Sequence, residues 1–227
     1  MAGSASPRSL RSLLIRRREV WQLTWTARLV LLALIVALAI TLARHAGTFL
    51  ALTDPVDTGY LVVEGWMPAY TYERAGELWR SGHYRKVIAA GAYPDDALSN
   101  GTPREYVAVG SLVAAGIPRD AIALAMGAAM HQDRTFHAAL NVRRWLQQRS
   151  DSHAALDVLT QGPHARRSRL LYRAALGEGV EVGVIAVPDR RFDVEHWWRT
   201  SEGVRSVLGE SIAYVYARIF FDESDHD

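Results

Sequence analysis

The sequence contains no cysteine and a single lysine, Lys86. Without cysteine the chain has no disulfide bond, no thiolate metal ligand, no cysteine nucleophile and no attachment point for a lipoprotein anchor. This composition suits an oxidising compartment. The single lysine reflects overall composition, because arginine supplies nearly all of the basic residues.

Several motifs of catalysis and cofactor binding are also absent. The first predicted strand is not followed by G-x-G-x-x-G, and the chain has neither a P-loop nor a G-x-S-x-G turn. His131, His137 and His164 do not have the spacing of metal ligands. We therefore expect no nucleotide cofactor, no serine-hydrolase mechanism and no metal.

Charge is distributed unevenly along the chain. Residues 1–44 carry seven arginines and one acidic residue, Glu19. The remainder carries 19 basic and 23 acidic residues, a net charge of −4. A mildly acidic domain without a basic patch is a poor candidate for nucleic-acid binding, so no nucleic-acid partner is expected.

An apolar run occupies residues 29–43 and is preceded by tryptophans at 21 and 25. Extended back to residue 21, it is long enough to cross a bilayer. Arginines in residues 8–18 favour a cytoplasmic N-terminus, which places the rest of the chain outside the cytoplasmic membrane. A cleaved signal peptide is the alternative. The predicted organisation is a cytoplasmic tail (1–20), a transmembrane helix (21–44), a linker (45–59), an α/β domain (60–221) and an acidic tail (222–227).

The body of the chain alternates short apolar runs with helical patterns. This alternation predicts a Rossmann-like, doubly wound sheet of about five parallel strands. The predicted strands are 60–63, 87–90, 121–126, 154–159 and 182–187, and the intervening helices include 72–79, 103–115, 135–148 and 202–221. With a strand order of 3-2-1-4-5, a ligand crevice opens between the first and fourth strands.

The segment 160–169 is the most informative part of the sequence. It follows a buried strand, turns at Gly162 and begins a helix that places His164, Arg167 and Ser168 on one face. A helix N-terminus with an imidazole and guanidiniums favours an anion such as phosphate or carboxylate. The alternative is a solvated basic helix start.

Glu64 directly follows the first strand and should face His164 across the crevice. Burial there would suit it for acid–base chemistry with His164. The alternative is a carboxylate satisfied by a neighbouring arginine or helix N-terminus.

Other polar residues near the strand ends are further candidates for ligand binding. Each has a structural alternative: a surface ion pair for Arg74, a first-turn acid for Glu105, and an N-cap for Asp133 ahead of Arg134 and Thr135.

The last predicted helix carries apolar residues at helical spacing, which predicts docking on the core. These residues are Val204, Leu208, Ile212, Val215 and Ile219. Contact of its aromatic residues, Tyr214, Tyr216, Phe220 and Phe221, with a bilayer surface is the alternative. Trp197 and Trp198, just before this helix, either pack it or form a wall for a sugar.

From residue 60 to 221 the chain resembles the SanA/ElyC/YdcF family of bacterial envelope proteins. The resemblance rests on Val62-Val63-Glu64-Gly65-Trp66, Arg74, Gly91, Glu105, Asp133-Arg134-Thr135 and the H-x-x-R pair His164/Arg167. The chain departs from the family where many members have an Asn-Thr pair and a further Asn, at Arg134-Thr135 and Ala138. It also departs where many have a second Gly, at Glu64 or Trp66.

The resemblance implies a Rossmann-like fold, a membrane anchor and a role in envelope polysaccharide or lipid-carrier metabolism, without specifying a reaction. We therefore expect an envelope enzyme acting on an anionic, phosphate-linked glycan or lipid-carrier intermediate. His164 and Glu64 would be its acid–base pair. The alternative is a non-catalytic binding or scaffold module that works with polysaccharide assembly proteins. The expected ligand-binding residues are Arg167, Arg74, Gly65, Gly91, Glu105, Asp133, Arg134, Thr135, Gly162 and Ser168.

Overall fold

The computed structural model describes residues 22–91, 98–99, 102–127, 132–151 and 153–221. The chain divides into two compact units between Thr41 and Leu42. Helix α1 (Trp25–Leu50) begins in the first unit and ends in the second. Its 26 residues extend about 39 Å at 1.5 Å per residue, against a hydrocarbon core of about 30 Å.

Among the described helices, α1 alone is long and apolar enough to cross a membrane, so it is a candidate membrane anchor. The predicted span of 21–44 overlaps it, but the helix continues to Leu50. The residues that follow are not a free linker. Asp54 forms a bridge with Val184, and the backbone N–H groups of Val56 and Asp57 donate to the Asp157 carboxylate at 2.8 and 2.9 Å.

The second unit contains a parallel sheet of five strands, which confirms the predicted fold class. Its strands are β1 (Gly59–Glu64), β2 (Tyr84–Gly91), β5 (Ile122–Met126), β6 (Ala155–Gln161) and β7 (Glu181–Val187). They lie in the order β5-β2-β1-β6-β7, the predicted 3-2-1-4-5. Two further two-residue strands, β3 (Leu98–Ser99) and β4 (Thr102–Pro103), form an antiparallel pair.

Helices cover both faces of this sheet because its strands are apolar on both sides. Val62, Ile88 and Val158 face one layer of helices, and Leu61 and Val87 face the other. The first layer contains α4 (Arg134–Gln147) and α5 (Ala165–Leu176), and the second contains α2 (Ala69–Arg80) and α3 (Arg104–Ala114).

The final helix, α6 (Ser201–Ile219), packs with a different face from the predicted one. Val207 is fully buried with Leu50 and Trp197, and Val204 packs against this cluster. The rest of the predicted core stripe is exposed instead: Leu208, Ile212, Val215 and Ile219. The expectation of core docking by those four residues is therefore wrong.

A glycine permits the close approach at the start of α6. A Cβ on Gly203 would collide with the backbone oxygen of Trp197, so the helix approaches residues 197–200 through its glycine face. Trp197 is buried against α6, which confirms the packing alternative for this residue, whereas Trp198 is exposed.

Candidate active site

A cavity of about 470 Å³ lies at the carboxyl ends of the central strands, where the strand order reverses between β1 and β6. The predicted site residues that line it are Glu64, Gly91, Asp133, Arg134, Thr135, His164 and Arg167. Trp66, Ala90, Ala138 and Glu210 complete the lining. The sequence prediction of a shared crevice therefore agrees with the geometry.

Glu64 and His164 meet at the base of this cavity. Glu64 ends β1 and is 1% exposed, and its Oε2 lies 3.6 Å from Nε2 of His164. The Thr160 hydroxyl donates to the same Oε2 at 2.6 Å, and the Ser168 hydroxyl lies 3.5 Å from Oε1. Glu64 is thus a buried carboxylate surrounded by donors from β6 and α5.

The backbone before α5 explains why His164 is buried rather than solvated. Gly162 has a φ of +41°, which turns the chain sharply after β6 into the 3₁₀ turn Gly162–His164. The turn places the imidazole over the end of the sheet, with 9% of its side chain exposed.

Glu210, which we did not predict, holds His164 from the other side. It extends from α6, and its Oε1 lies 2.9 Å from His164 Nδ1. The same carboxylate accepts from Arg167, with Nε–Oε2 at 2.8 Å and Nη2–Oε1 at 3.1 Å. One carboxylate therefore binds both residues of the predicted H-x-x-R pair.

The two carboxylates determine the protonation of the imidazole. Burial by itself lowers the pKa of His164, but Glu64 and Glu210 outweigh it and raise that pKa to about 9. Burial acts to raise the pKa of Glu210, whereas hydrogen bonds from His164 and Arg167 lower it to about 2. At neutral pH the site therefore contains an imidazolium between two carboxylates.

This protonation state clarifies a close nitrogen–nitrogen contact. Arg167 Nη2 lies 2.9 Å from His164 Nδ1. Both nitrogens carry protons when His164 is an imidazolium, so neither can accept. They lie close together because both donate to the same oxygen of Glu210.

The two imidazole nitrogens consequently differ in how closely their partners approach. Nδ1 is held by Glu210 at 2.9 Å. Nε2 has looser neighbours, Glu64 Oε2 at 3.6 Å and the Thr135 hydroxyl at 3.5 Å. The Nε2 proton is the one that a ligand oxygen in the cavity can accept.

The first turn of α4 forms the opposite wall. Asp133 occupies the N-cap position in a left-handed conformation, with a φ of 46°, but its side chain makes no capping hydrogen bond. The predicted cap is thus right in position and wrong in mechanism. Arg134 is exposed on the cavity, and within the described part of the chain it makes no ion pair.

An aromatic ring borders the cavity beside His164. Trp66 follows β1 and is 41% exposed, and its ring meets the imidazole edge-on, with centroids 5.2 Å apart. Beyond it lies a second cavity of about 340 Å³ that shares Trp66, His164 and Glu210 with the first.

Some predicted site residues do not reach the main cavity. Arg74 is exposed on α2 and pairs with Glu77 at 2.7 Å, because its side chain points along the helix surface. Gly65 acts through its backbone, whose N–H donates to the Ala90 oxygen and whose oxygen accepts from Tyr72. Gly162 shapes the turn, and Ser168 lies beneath Glu64. The side chain of Glu105 lies outside the described residues.

Glu210 could have been found from sequence, because it is the only charged residue between Arg205 and Arg218. A lone acid in such a stretch is a candidate for a buried role.

No cluster of possible metal ligands occurs among the residues that the structure describes. Comparison of the chain with family models, curated proteins and solved structures finds no match. The resemblance to the SanA/ElyC/YdcF family stays a prediction.

Proposed function

We propose that this chain is a membrane-anchored envelope protein that acts on an anionic, phosphate-linked glycan or lipid-carrier intermediate. The domain lies on the outer side of the cytoplasmic membrane, with α1 as its single anchor. The observation that carries the proposal is His164, an imidazolium held between Glu64 and Glu210 in the lining of the cavity, with Nε2 3.5 Å from the hydroxyl of Thr135, which also lines it. The reaction class is hydrolysis or group transfer at a phosphate- or sugar-bearing centre.

His164 acts as a general acid in this proposal. Glu210 fixes the ring through Nδ1, so the Nε2 proton can pass to a leaving oxygen bound near Thr135. The neighbouring Glu64 raises the pKa of His164, which keeps the imidazole protonated before transfer, and it forms the second half of the proposed acid–base pair.

Cationic groups around the cavity favour an anionic ligand. The exposed Arg134 guanidinium and the N-terminus of α4 lie on one wall, and the imidazolium lies at the base. Arg167 donates to Glu210 through Nε and Nη2, so fewer of its N–H groups are available to a ligand. Its main contribution to the site is its positive charge. Arg74 has no part in this binding, since it does not line the cavity.

A non-catalytic binding or scaffold role is the second candidate. It is favoured by the closed pairing of Arg167 and His164 with Glu210 and Glu64, in which two positive and two negative groups balance without a ligand. In that case the cavity binds a ligand without turnover, and the chain presents this ligand to polysaccharide assembly proteins. Replacing His164 by Gln should then leave binding largely intact.

The test uses the full chain in detergent with three probes: inorganic pyrophosphate, glucose 1-phosphate and farnesyl diphosphate. Binding is measured calorimetrically, and phosphate release is followed by ³¹P NMR for the wild type and His164→Gln. Glu77→Gln, a surface change outside the cavity, is the matched control. Turnover that His164→Gln abolishes supports the enzyme, and binding without turnover supports the scaffold. Absence of binding for every probe contradicts the anionic-ligand proposal.

A further inference from the structure

An exposed apolar surface runs along α6. It consists of Leu208, Ile212, Val215, Tyr216, Ile219 and Phe220, which recur at helical spacing and are between 49% and 73% exposed. We call this surface the α6 stripe. Contiguous apolar surface of this kind on a water-soluble domain marks a contact site.

The opposite face of α6 packs against the rest of the domain. Val207 and Tyr214 pack toward the cluster around Leu50 and Trp197, and Ala217 packs against the main core. Glu210 points into the candidate active site. The helix cannot rotate to bury the stripe without removing Glu210 from His164, so the stripe stays outward.

The end of the candidate anchor lies against this same helix. Within the second unit, Ala46 and Leu50 of α1 join the cluster that contains Val207, and the rings of Phe49 and Tyr214 meet with centroids 5.7 Å apart. Only five residues lie between Ala43, the last residue of the apolar run, and Phe49. Even fully extended, the six steps from Ala43 to Phe49 reach about 20 Å, so α6 cannot lie far from a membrane that α1 enters.

We propose that the α6 stripe inserts into the interfacial region of the membrane in which α1 is anchored. The stripe mixes aliphatic and aromatic side chains, as interfacial helices do, and the charged residues exposed along α6 from 203 to 219 are the arginines Arg205 and Arg218. The acidic residues that follow at 222–227 disfavour a contact driven by anionic lipid. The insertion is therefore apolar and occurs on neutral lipid as well.

The absence of cysteine provides a direct test. Ile212→Cys and Ile219→Cys in the full chain each accept one nitroxide label without competing thiols. Glu178→Cys, on the exposed loop between α5 and β7, is the matched control. The proteins are reconstituted in phosphatidylcholine vesicles, and collisions of each label with oxygen and with a water-soluble nickel chelate are compared.

Labels at 212 and 219 should favour oxygen over nickel by several-fold, and the label at 178 should show the opposite. Nickel accessibility at 212 and 219 equal to that at 178 overturns the proposal. Spin–spin broadening that disappears on dilution with unlabelled chain also overturns it, since a second copy then covers the stripe. Unchanged thermal midpoints confirm that the labels leave the fold intact.

The inference rests on α1 as a membrane anchor and not on the ligand of the crevice. Carbonate extraction of the same vesicles separates the two. If the chain resists extraction but both labels are accessible to nickel, only the proposed contact of α6 with the membrane is contradicted. If carbonate releases the chain, α1 is not an anchor, and both this inference and the membrane part of the proposed function are contradicted.

Discussion

Glu210 Oε1 lies 2.9 Å from His164 Nδ1 and 3.1 Å from Arg167 Nη2, so one carboxylate of α6 holds both residues of the H-x-x-R pair. This arrangement couples the last helix of the chain to the central crevice. Any change that shifts α6 also changes the protonation and orientation of His164.

Glu210→Gln should lower the pKa of His164 from about 9 toward its ordinary value, because one of its two carboxylate partners is lost. The measurement is an NMR titration of the imidazole. Glu202→Gln is the control, since this residue lies on the same helix and pairs with Arg205 instead. An unchanged His164 titration in Glu210→Gln contradicts the contact with Nδ1.

The raised pKa of His164 also predicts how stability depends on pH. The folded state binds the imidazole proton more tightly than the unfolded chain, so this contribution is complete below about pH 6.5. It is lost as pH rises through about 9. The gap in thermal midpoint between wild type and His164→Gln should therefore narrow from pH 6.5 to 9. A constant gap for His164→Gln over this range would count against an imidazolium.

Arg167 is a structural residue as well as a candidate ligand-binding one. Arg167→Ala leaves the partly buried Glu210 without its paired donors, and we expect a loss of about 2 kcal/mol in unfolding free energy. Arg167→Lys keeps the charge but cannot donate twice in parallel, so its loss should be about half as large. Urea unfolding of both variants measures this. If Arg167→Ala is as stable as wild type, the contact with Glu210 carries no stability.

The sheet was predictable because local patterns determine it. The apolar run 60–63 lies within β1, the run 154–159 overlaps β6 from residue 155 onward, and the turn at Gly162 leads into α5 as expected. The strand order then places Glu64 beside His164. Helix positions missed their observed ends by only a few residues, where caps and fraying decide the boundary.

Contacts between residues far apart in the sequence were not predictable in the same way. Helical spacing shows that α6 has an apolar stripe, but it does not show which face of the helix packs against the core. The contact of Glu210 with His164 decides that, and these two residues are 46 positions apart in the sequence. Arg74 was misplaced for a similar reason, because nearness to a strand end does not fix where a long side chain points.

Gly203 and Gly209 form a matched pair on α6. A Cβ at Gly203 would collide with the Trp197 backbone oxygen, and Gly203→Ala should destabilise the fold by about 2 kcal/mol. Nothing lies within 4 Å of a Cβ at Gly209, so Gly209→Ala should stabilise the helix by about 0.5–1 kcal/mol. Thermal and urea unfolding give both values. Equal effects of the two substitutions would show that α6 does not approach residues 197–200 through Gly203.

The last prediction concerns the topology of the anchor. Arginines in residues 8–18 favour a cytoplasmic N-terminus, and α1 is apolar enough to span the bilayer. A phosphatase that is active only outside the cytoplasm, fused after Asp227, should therefore be active in a bacterial host. The control replaces the arginines at positions 8, 11, 16, 17 and 18 by glutamate, which removes the charge bias and should reduce that activity. A silent phosphatase together with an active cytoplasmic reporter at the same position would place the domain inside the cell and remove the envelope assignment.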